Sequence, residues 1–87
     1  MAQEIIVYSN VGCGPCHQAM EYLSQKGVPF IEKNVARDPI ALQDLMSMRL
    51  RLLPVIVIGD QRLSGFNPEE IDAALADQNN RAEAARL

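Results

Sequence analysis

Two cysteines separated by two residues are the side chains in this sequence best suited to chemistry. Cys13 and Cys16 enclose Gly14 and Pro15, and the residues that follow have the apolar spacing of a helix. At a helix start, two such cysteines can close a small disulfide, and the helix amides and dipole stabilise a thiolate on the first one. We therefore expect Cys13 to be the nucleophile and Cys16 the resolving thiol of a thiol-disulfide exchange.

The local geometry of this motif is also predictable. If Cys13 is the N-cap of the helix, its sulfur can accept the backbone N–H of Cys16, while Pro15 pre-sets φ for the first turn. Cys16 then lies one turn inside the helix and is partly covered. Exchange of this kind needs no metal and no cofactor beyond the Cys13–Cys16 disulfide itself.

Other uses of the same cysteines remain open at this point. A structural zinc site takes four ligands, and beyond Cys13, Cys16 and His17 the chain offers no second Cys or His pair. The string Cys13-x-x-Cys16-His17 also satisfies the attachment pattern of c-type haem, although strand-like runs flank it here. Two cysteines that serve only for packing are the third alternative.

Composition and charge limit the classes of function. The 87 residues are 48% hydrophobic, which is enough for one core and one domain. The formal charge is −3 and the basic residues are scattered, so we expect no nucleic-acid partner. The longest apolar runs are far too short to span a membrane. The start of the chain lacks the pattern of a secretory signal, and we expect a cytoplasmic monomer.

Simple residue patterns predict the strands and helices that position the site. Strands are predicted at residues 5–8, 29–35, 54–58 and 62–64, and helices at residues 14–26, from Asp38-Pro39 onward, and from Asn67-Pro68 onward. Gly27 is expected to end the first helix. Leu42, Leu45 and Met46 are expected to form the inner stripe of the second.

The order β-α-β-α-β-β-α indicates an α/β fold, a four-stranded mixed sheet flanked by three helices. The first two strands should be parallel because a helix connects them, and Gly59-Asp60 should join the last two in an antiparallel hairpin. Residues 1–77 are predicted to form the domain. Residues 78–87 carry no apolar stripe and are predicted to be a helical extension or a mobile tail.

Three motifs in order give the chain a family resemblance. Val7-Tyr8-Ser9-Asn10 precedes the cysteines, Leu53-Pro54-Val55 follows later, and Ser64-Gly65-Phe66-Asn67-Pro68 comes near the end. With these motifs the chain resembles the glutaredoxin family of the thioredoxin-like fold, and within it the NrdH-type redoxins. The resemblance implies that Pro54 is a cis proline facing the cysteines and that the backbone of Leu53 pairs with an extended partner segment. It implies a substrate groove formed by Val11, Gly12, Leu52, Leu53, Pro54, Ser64, Gly65 and Phe66.

The same resemblance implies partners. NrdH-type redoxins are recharged by thioredoxin reductase and reduce protein disulfides, with ribonucleotide reductase as the typical acceptor. The alternative is a glutaredoxin that uses glutathione or another low-molecular-weight thiol, but most polar residues that hold glutathione in such proteins are missing here. Arg51 is a candidate anion contact. Two departures from thioredoxins proper are Gly12, where they have a Trp, and Val7, where they have a buried Asp.

Overall fold

The secondary structure follows the predicted order β-α-β-α-β-β-α. The computed structural model describes residues 4–50 and 52–86, with side chains through Gln78. Its elements are β1 (Ile5–Ser9), α1 (Gly14–Gln25), β2 (Ile31–Asn34), α2 (Pro39–Met48), β3 (Val55–Ile58), β4 (Gln61–Ser64) and α3 (Pro68–Arg86). The predicted fold class, a four-stranded mixed sheet with three helices, is therefore confirmed.

The sheet has the strand order β2-β1-β3-β4. β1 is parallel to β2 and antiparallel to β3, and β4 is antiparallel to β3. Tyr8 pairs with Val55, and Val55 pairs with Ser64. The C-terminal end of β1, the start of β3 and the end of β4 therefore meet at one end of the sheet, which we call the redox end because Cys13 and Cys16 follow β1.

Alternate side chains of the strands build two separate clusters, one on each face of the sheet. The first joins β1 and β3 to α1 and α3, and consists of Ile5, Val7, Ala19, Leu23, Ile56, Ile58, Ile71 and Ala74. The second joins the same strands to α2, and consists of Tyr8, Val35, Ala41, Leu45 and Val55. The face on which a strand residue lies follows from its parity along the strand.

The predicted inner stripe of α2 is wrong at two of its three positions. Leu45 is buried, as predicted, but its partner one turn earlier is Ala41, and Met48 packs at the edge of the same cluster. Leu42 and Met46 each lie one residue further along the helix, about 100° around its axis, and both are exposed. Periodicity alone does not choose between these neighbouring stripes, because both contain apolar residues.

Helix α3 begins with the predicted cap and continues beyond the core. The Asn67 side chain accepts the backbone N–H groups of Glu69 and Glu70. Gln78 is buried against the turn between β3 and β4, where it donates to Asp60 at 3.4 Å. The division into a domain of residues 1–77 and an extension of residues 78–87 stays a prediction. Among the helices of the described residues, none has the length and apolar character needed to cross a membrane.

Candidate active site

Cys13 and Cys16 form a disulfide at the start of α1. Cys13 is the N-cap, and its Sγ accepts the backbone N–H of Cys16 at 3.1 Å, as predicted. Cys13 is half-buried and Cys16 is only 1% exposed. The two sulfurs are therefore unequal: one lies at the surface against a helix amide, and the other is more deeply buried than the sequence indicates.

The loop that delivers Cys13 is short and tightly bonded. Asn10 accepts two hydrogen bonds within the loop. Its side chain accepts the N–H of Val11 at 2.7 Å, and its backbone carbonyl accepts the N–H of Cys13 at 3.3 Å. Gly12 has a φ of +74°, which a residue with a Cβ rarely adopts. Val11, two residues before Cys13, is 67% exposed.

The segment before β3 carries the cis proline that the resemblance implied. The Leu53–Pro54 peptide bond is cis, and Pro54 is buried. Its carbonyl accepts the N–H of Gly65 at 2.8 Å, and the Leu52 carbonyl accepts the Ser64 hydroxyl at 2.8 Å. These bonds hold the segment at residues 52–54 against the turn that follows β4.

Gly65 lies where residues 52–54 meet the turn after β4, and both its backbone conformation and the space around it favour glycine. Its φ is +83°, and a Cβ at this position would lie 3.1 Å from Cδ2 of Leu52, which is tighter than ordinary van der Waals contact. Leu52 is itself 65% exposed, whereas Leu53 is half-buried. The register of the strands places this pair of segments at the redox end, next to the loop that holds Cys13.

Phe66 is held by a cluster that joins α1 to α3. Its ring meets the ring of Tyr22 edge to face, with 5.9 Å between centroids. The Tyr22 hydroxyl donates to Oδ1 of Asp72 at 2.7 Å, and Nζ of Lys26 lies 2.9 Å from the same oxygen and 5.1 Å from the centre of the Tyr22 ring. The two donors lower the pKa of Asp72, and the hydrogen bond to Asp72 raises the pKa of Tyr22 and of Lys26.

Sequence reasoning missed this cluster and a second polar contact. The hydroxyl of Ser9, at the end of β1, donates to Oε2 of Glu32 in β2 at 2.7 Å. Tyr22 and Asp72 are 50 positions apart, and Ser9 and Glu32 are 23 positions apart. No local pattern pairs residues at such separations. The parallel register of β1 and β2 is the signal that places Glu32 near the end of β1.

His17, Gly14, Pro15 and Arg51 are the other residues that the sequence analysis considered. His17 is exposed in the first turn of α1. Gly14 and Pro15 occupy the first two helical positions and are exposed. Arg51, the candidate anion contact, lies outside the described residues. Within the described residues, no three His, Cys, Asp or Glu side chains are grouped so that they could hold a metal ion.

Known proteins share this arrangement. The sequence profile of the glutaredoxin family matches residues 5–63. The glutaredoxin-like protein NrdH of Escherichia coli is 35% identical over 68 residues, 78% of this chain and 84% of that protein. The N-acetyl-S-hydroxy-L-cysteine reductase of Bacillus subtilis is 33% identical over 88 residues, 94% of each chain.

A solved structure agrees with the sequence matches. The NrdH-redoxin of Escherichia coli, described as having a thioredoxin-like activity profile, superposes with a TM-score of 0.76 at 34% identity. The superposition covers 80% of this chain and 92% of that one. With its disulfide-forming cysteine pair at a helix start, this chain belongs to the glutaredoxin family and is an NrdH-like thiol-disulfide oxidoreductase.

Proposed function

We propose that the chain donates electrons from Cys13 and Cys16 to the disulfides of protein partners. The observation that carries this proposal is the inequality of the two sulfurs. Cys13 is accessible and its Sγ accepts a helix amide at 3.1 Å, which favours the thiolate in the reduced protein. Cys16 is buried, so a partner sulfur meets Cys13 first.

The exchange balances without a cofactor. The Cys13 thiolate attacks one sulfur of the partner disulfide; a mixed disulfide forms, and the second partner sulfur leaves as a thiolate and takes a proton from water. The Cys16 thiolate then attacks Sγ of Cys13, which closes the Cys13–Cys16 bond and releases the first partner sulfur. Two electrons pass to the partner, which ends as a dithiol.

The groove around Cys13 suits an extended protein segment. Val11 and Leu52 are exposed apolar side chains, and the hydrogen bonds between residues 52–54 and 64–65 hold one wall in place. We assign partner docking to Val11, Gly12, Leu52, Leu53, Pro54, Ser64, Gly65 and Phe66. In this role the backbone of Leu53 pairs with the partner strand, and Phe66 forms the apolar wall.

Thioredoxin reductase is the proposed reductant and ribonucleotide reductase the proposed acceptor, for a monomer acting in the cytoplasm. The similarity to NrdH of Escherichia coli supports this choice. The test follows NADPH oxidation with a common protein disulfide, using either thioredoxin reductase or glutathione with glutathione reductase. Turnover is expected with thioredoxin reductase. Turnover only in the glutathione system would overturn the choice of reductant.

Cysteine variants test the roles of the two sulfurs in the same assay. Cys13→Ser should abolish turnover, and Cys16→Ser should accumulate a mixed disulfide that mass spectrometry detects. In the reduced protein, iodoacetamide should modify Cys13 near neutral pH much faster than Cys16. Equal rates, or faster modification of Cys16, would contradict the assignment.

A second candidate function is the reduction of a small-molecule sulfenic acid. The relative from Bacillus subtilis with that activity in its name matches 94% of this chain, which includes most of α3. Here the Cys13 thiolate attacks the sulfur of R–S–OH, hydroxide leaves and is protonated to water, and Cys16 releases R–SH. Comparison of kcat/KM for N-acetyl-S-hydroxycysteine and for a protein disulfide separates the two. A higher value for the sulfenic acid would make it the favoured substrate.

A further inference from the structure

Phe66, the proposed apolar wall of the docking groove, lies on a turn whose backbone is fixed on both sides. The N–H of Gly65 donates to the Pro54 carbonyl at 2.8 Å, and the Asn67 side chain accepts two N–H groups at the start of α3. These bonds do not restrict the torsion angles of the Phe66 side chain. Its ring is half-buried, so the position of the ring depends on the side chains that it contacts.

Tyr22 is an aromatic partner of Phe66. The two ring centroids are 5.9 Å apart and the ring planes meet at 68°, the edge-to-face geometry that aromatic pairs prefer. Both rings pack at the border of the apolar cluster that lies between the sheet, α1 and α3. Tyr22 belongs to α1, whose N-cap is Cys13. The contact therefore connects the wall of the groove to the helix that carries the dithiol.

Polar contacts hold the Tyr22 side chain itself in place. Its hydroxyl donates to Oδ1 of Asp72 on α3 at 2.7 Å. Nζ of Lys26, one helical turn after Tyr22, lies 2.9 Å from the same oxygen and 5.1 Å from the centre of the Tyr22 ring. A phenylalanine at this position would have the ring without the hydrogen bond, and a leucine would have neither. Tyrosine is thus the residue type that both meets Phe66 and is bonded to the neighbouring helix.

We propose that Tyr22 is a positioning residue for partner docking, which fixes the Phe66 ring in the place where that ring contacts a partner protein. The inference rests on the proposed function, in which Phe66 forms the apolar wall of the groove. A side chain that is free before docking loses conformational entropy when a partner immobilises it, whereas a side chain already fixed does not. Tyr22 thus raises the affinity for protein partners through Phe66. A small disulfide that reacts at Cys13 needs no wall and gains nothing from the contact.

Single-turnover kinetics test the inference without a choice of reductant. Reduced protein is mixed with excess insulin as the protein disulfide and quenched with acid, and its remaining thiols are counted by alkylation and mass spectrometry. The observed rate at increasing insulin concentration gives a half-saturating concentration and a limiting rate. Tyr22→Leu is expected to raise the half-saturating concentration by about threefold to tenfold, the effect of one newly mobile side chain, and to keep the limiting rate. Its rate with the small disulfide dithiobis(nitrobenzoate) should stay at the parent value.

Three further variants are matched to Tyr22→Leu. Tyr22→Phe keeps the ring, so it should raise the half-saturating insulin concentration by less than about twofold. Phe30→Leu alters another aromatic ring at the border of the same cluster, but the register of β1 and β2 places Phe30 at the end of the sheet opposite the dithiol. It should change neither kinetic value. When Phe66→Leu is already present, Tyr22→Leu should add nothing, because Tyr22 acts through Phe66.

Fluorine NMR observes the Phe66 ring directly. The chain has two phenylalanines, so protein labelled with para-fluorophenylalanine gives one resonance from Phe30 and one from Phe66. The Phe66 resonance is identified by its loss in Phe66→Leu. Tyr22→Leu is expected to shift this resonance and to change its relaxation to that of a more mobile ring, while the Phe30 resonance stays in place. A Phe66 ring as ordered in Tyr22→Leu as in the parent would overturn the inference.

The kinetic outcomes distinguish the role of Tyr22 from the proposed function. If Phe66→Leu raised the half-saturating insulin concentration and Tyr22→Leu did not, the role of Tyr22 would be overturned and the groove would stand. Slower reaction of Tyr22→Leu with dithiobis(nitrobenzoate) would also overturn it, because the effect would then be on the dithiol. An unchanged value in Phe66→Leu would refute the place of Phe66 in the proposed function instead. Tyr22 is only partly buried, so Tyr22→Leu is expected to fold; Tyr22→Met, with the same expected values, replaces it if it does not.

Discussion

The two faces of the sheet are covered to different degrees. On one face α1 and α3 together bury an apolar cluster whose members are at most 4% exposed. On the other face the ten-residue helix α2 covers a smaller cluster, and Ile40, Leu42 and Met46 remain exposed. A pocket lined by Leu45, Met46, Arg49 and Leu50 opens beside it. We call the face covered by α1 and α3 the closed face, and the face covered by α2 the open face. Since burial of apolar area is the main source of stability, the closed face should contribute most of the stability.

The closed face is also the face that positions the dithiol. Cys16 continues the buried stripe of α1, and the cluster of Tyr22, Lys26 and Asp72 fastens that helix to α3. Helix α1 is therefore held by apolar packing along its length and by polar contacts near its C-terminal end. Both fix the position of the helix start, where Cys13 and Cys16 lie. The buried residues of α2 pack instead in the cluster on the opposite face of the sheet. The chemistry and the main core share one side of the sheet.

The largest expected effect comes from a matched pair of core truncations. Leu23→Ala, on the closed face, should lower the free energy of unfolding by about 3–5 kcal/mol, because Leu23 is fully buried and leaves a cavity. Leu45→Ala, under α2, should cost about 2 kcal/mol, because the more open site can relax. Urea denaturation measures both values. Equal losses would contradict the difference between the faces.

A smaller effect should come from the contact between α3 and the turn that joins β3 to β4, at the end of the sheet opposite the dithiol. Gly27 and Gly59 both have positive φ, but a Cβ at Gly27 meets open space, whereas at Gly59 it would collide with the side chain of Gln78. Gly27→Ala should cost about 1 kcal/mol from backbone strain alone. Gly59→Ala should cost about 2 kcal/mol, because Gln78 must also leave its buried position.

A second background checks the cause of that difference. When Gln78 has been replaced by Ala, Gly59→Ala should cost no more than Gly27→Ala, because the collision has been removed. Denaturation midpoints of the single and double variants give the comparison. A full extra cost in the Gln78→Ala background would show that the packing of α3 on this turn is not responsible.

The polar cluster between α1 and α3 should make stability depend on acid. The pKa of Asp72 is lowered in the folded state, by the Tyr22 hydroxyl first and by Lys26 second. Its contribution is therefore fully present above the ordinary carboxyl value of 3.8 and is lost as the pH falls through the lower folded value. Melting temperatures from neutral pH down to acid should fall less steeply for Asp72→Asn than for the parent.

Tyr22→Phe is the companion variant for that measurement. It keeps the ring that meets Phe66 and removes the hydroxyl that bonds to Asp72, so the acid dependence should again become shallower. In the double variant with Asp72→Asn, the Tyr22 substitution should add little, since both changes remove the same hydrogen bond. Additive effects on the acid dependence would contradict the assignment. The effect should be small because the cluster is exposed to solvent.

The smallest effect should come from the open face. Met46 is 68% exposed on α2, so Met46→Ser should change the free energy of unfolding by no more than about 0.5 kcal/mol. Leu45→Ala, one residue away on the same helix, provides the control. A loss from Met46→Ser close to that from Leu45→Ala would show that something covers this face in solution.

Much of the fold and the centre of the site were predictable from sequence because they depend on local chemistry. Each helix start depends on a side chain that bonds to backbone groups close by in sequence. Asp38, for example, accepts the N–H groups of Ile40 and Ala41 at the start of α2. The Sγ of Cys13 occupies the same position at α1. The hairpin of β3 and β4 and the parallel pairing of β1 with β2 follow from the lengths of the connections. The prediction that Leu42 and Met46 face the sheet was wrong, because periodicity does not show which apolar side of α2 the sheet covers.

The residues that can exchange electrons and the starts of the three helices are predictable from sequence, since these depend on neighbours within about one helical turn. Which distant side chains meet depends instead on how the strands and helices pack. Ser9 reaches Glu32 only because β1 and β2 are in parallel register, and Tyr22 reaches Asp72 only because α1 and α3 pack on the same face. Strand order and helix placement follow from burial summed over the whole chain, and no short segment contains that information.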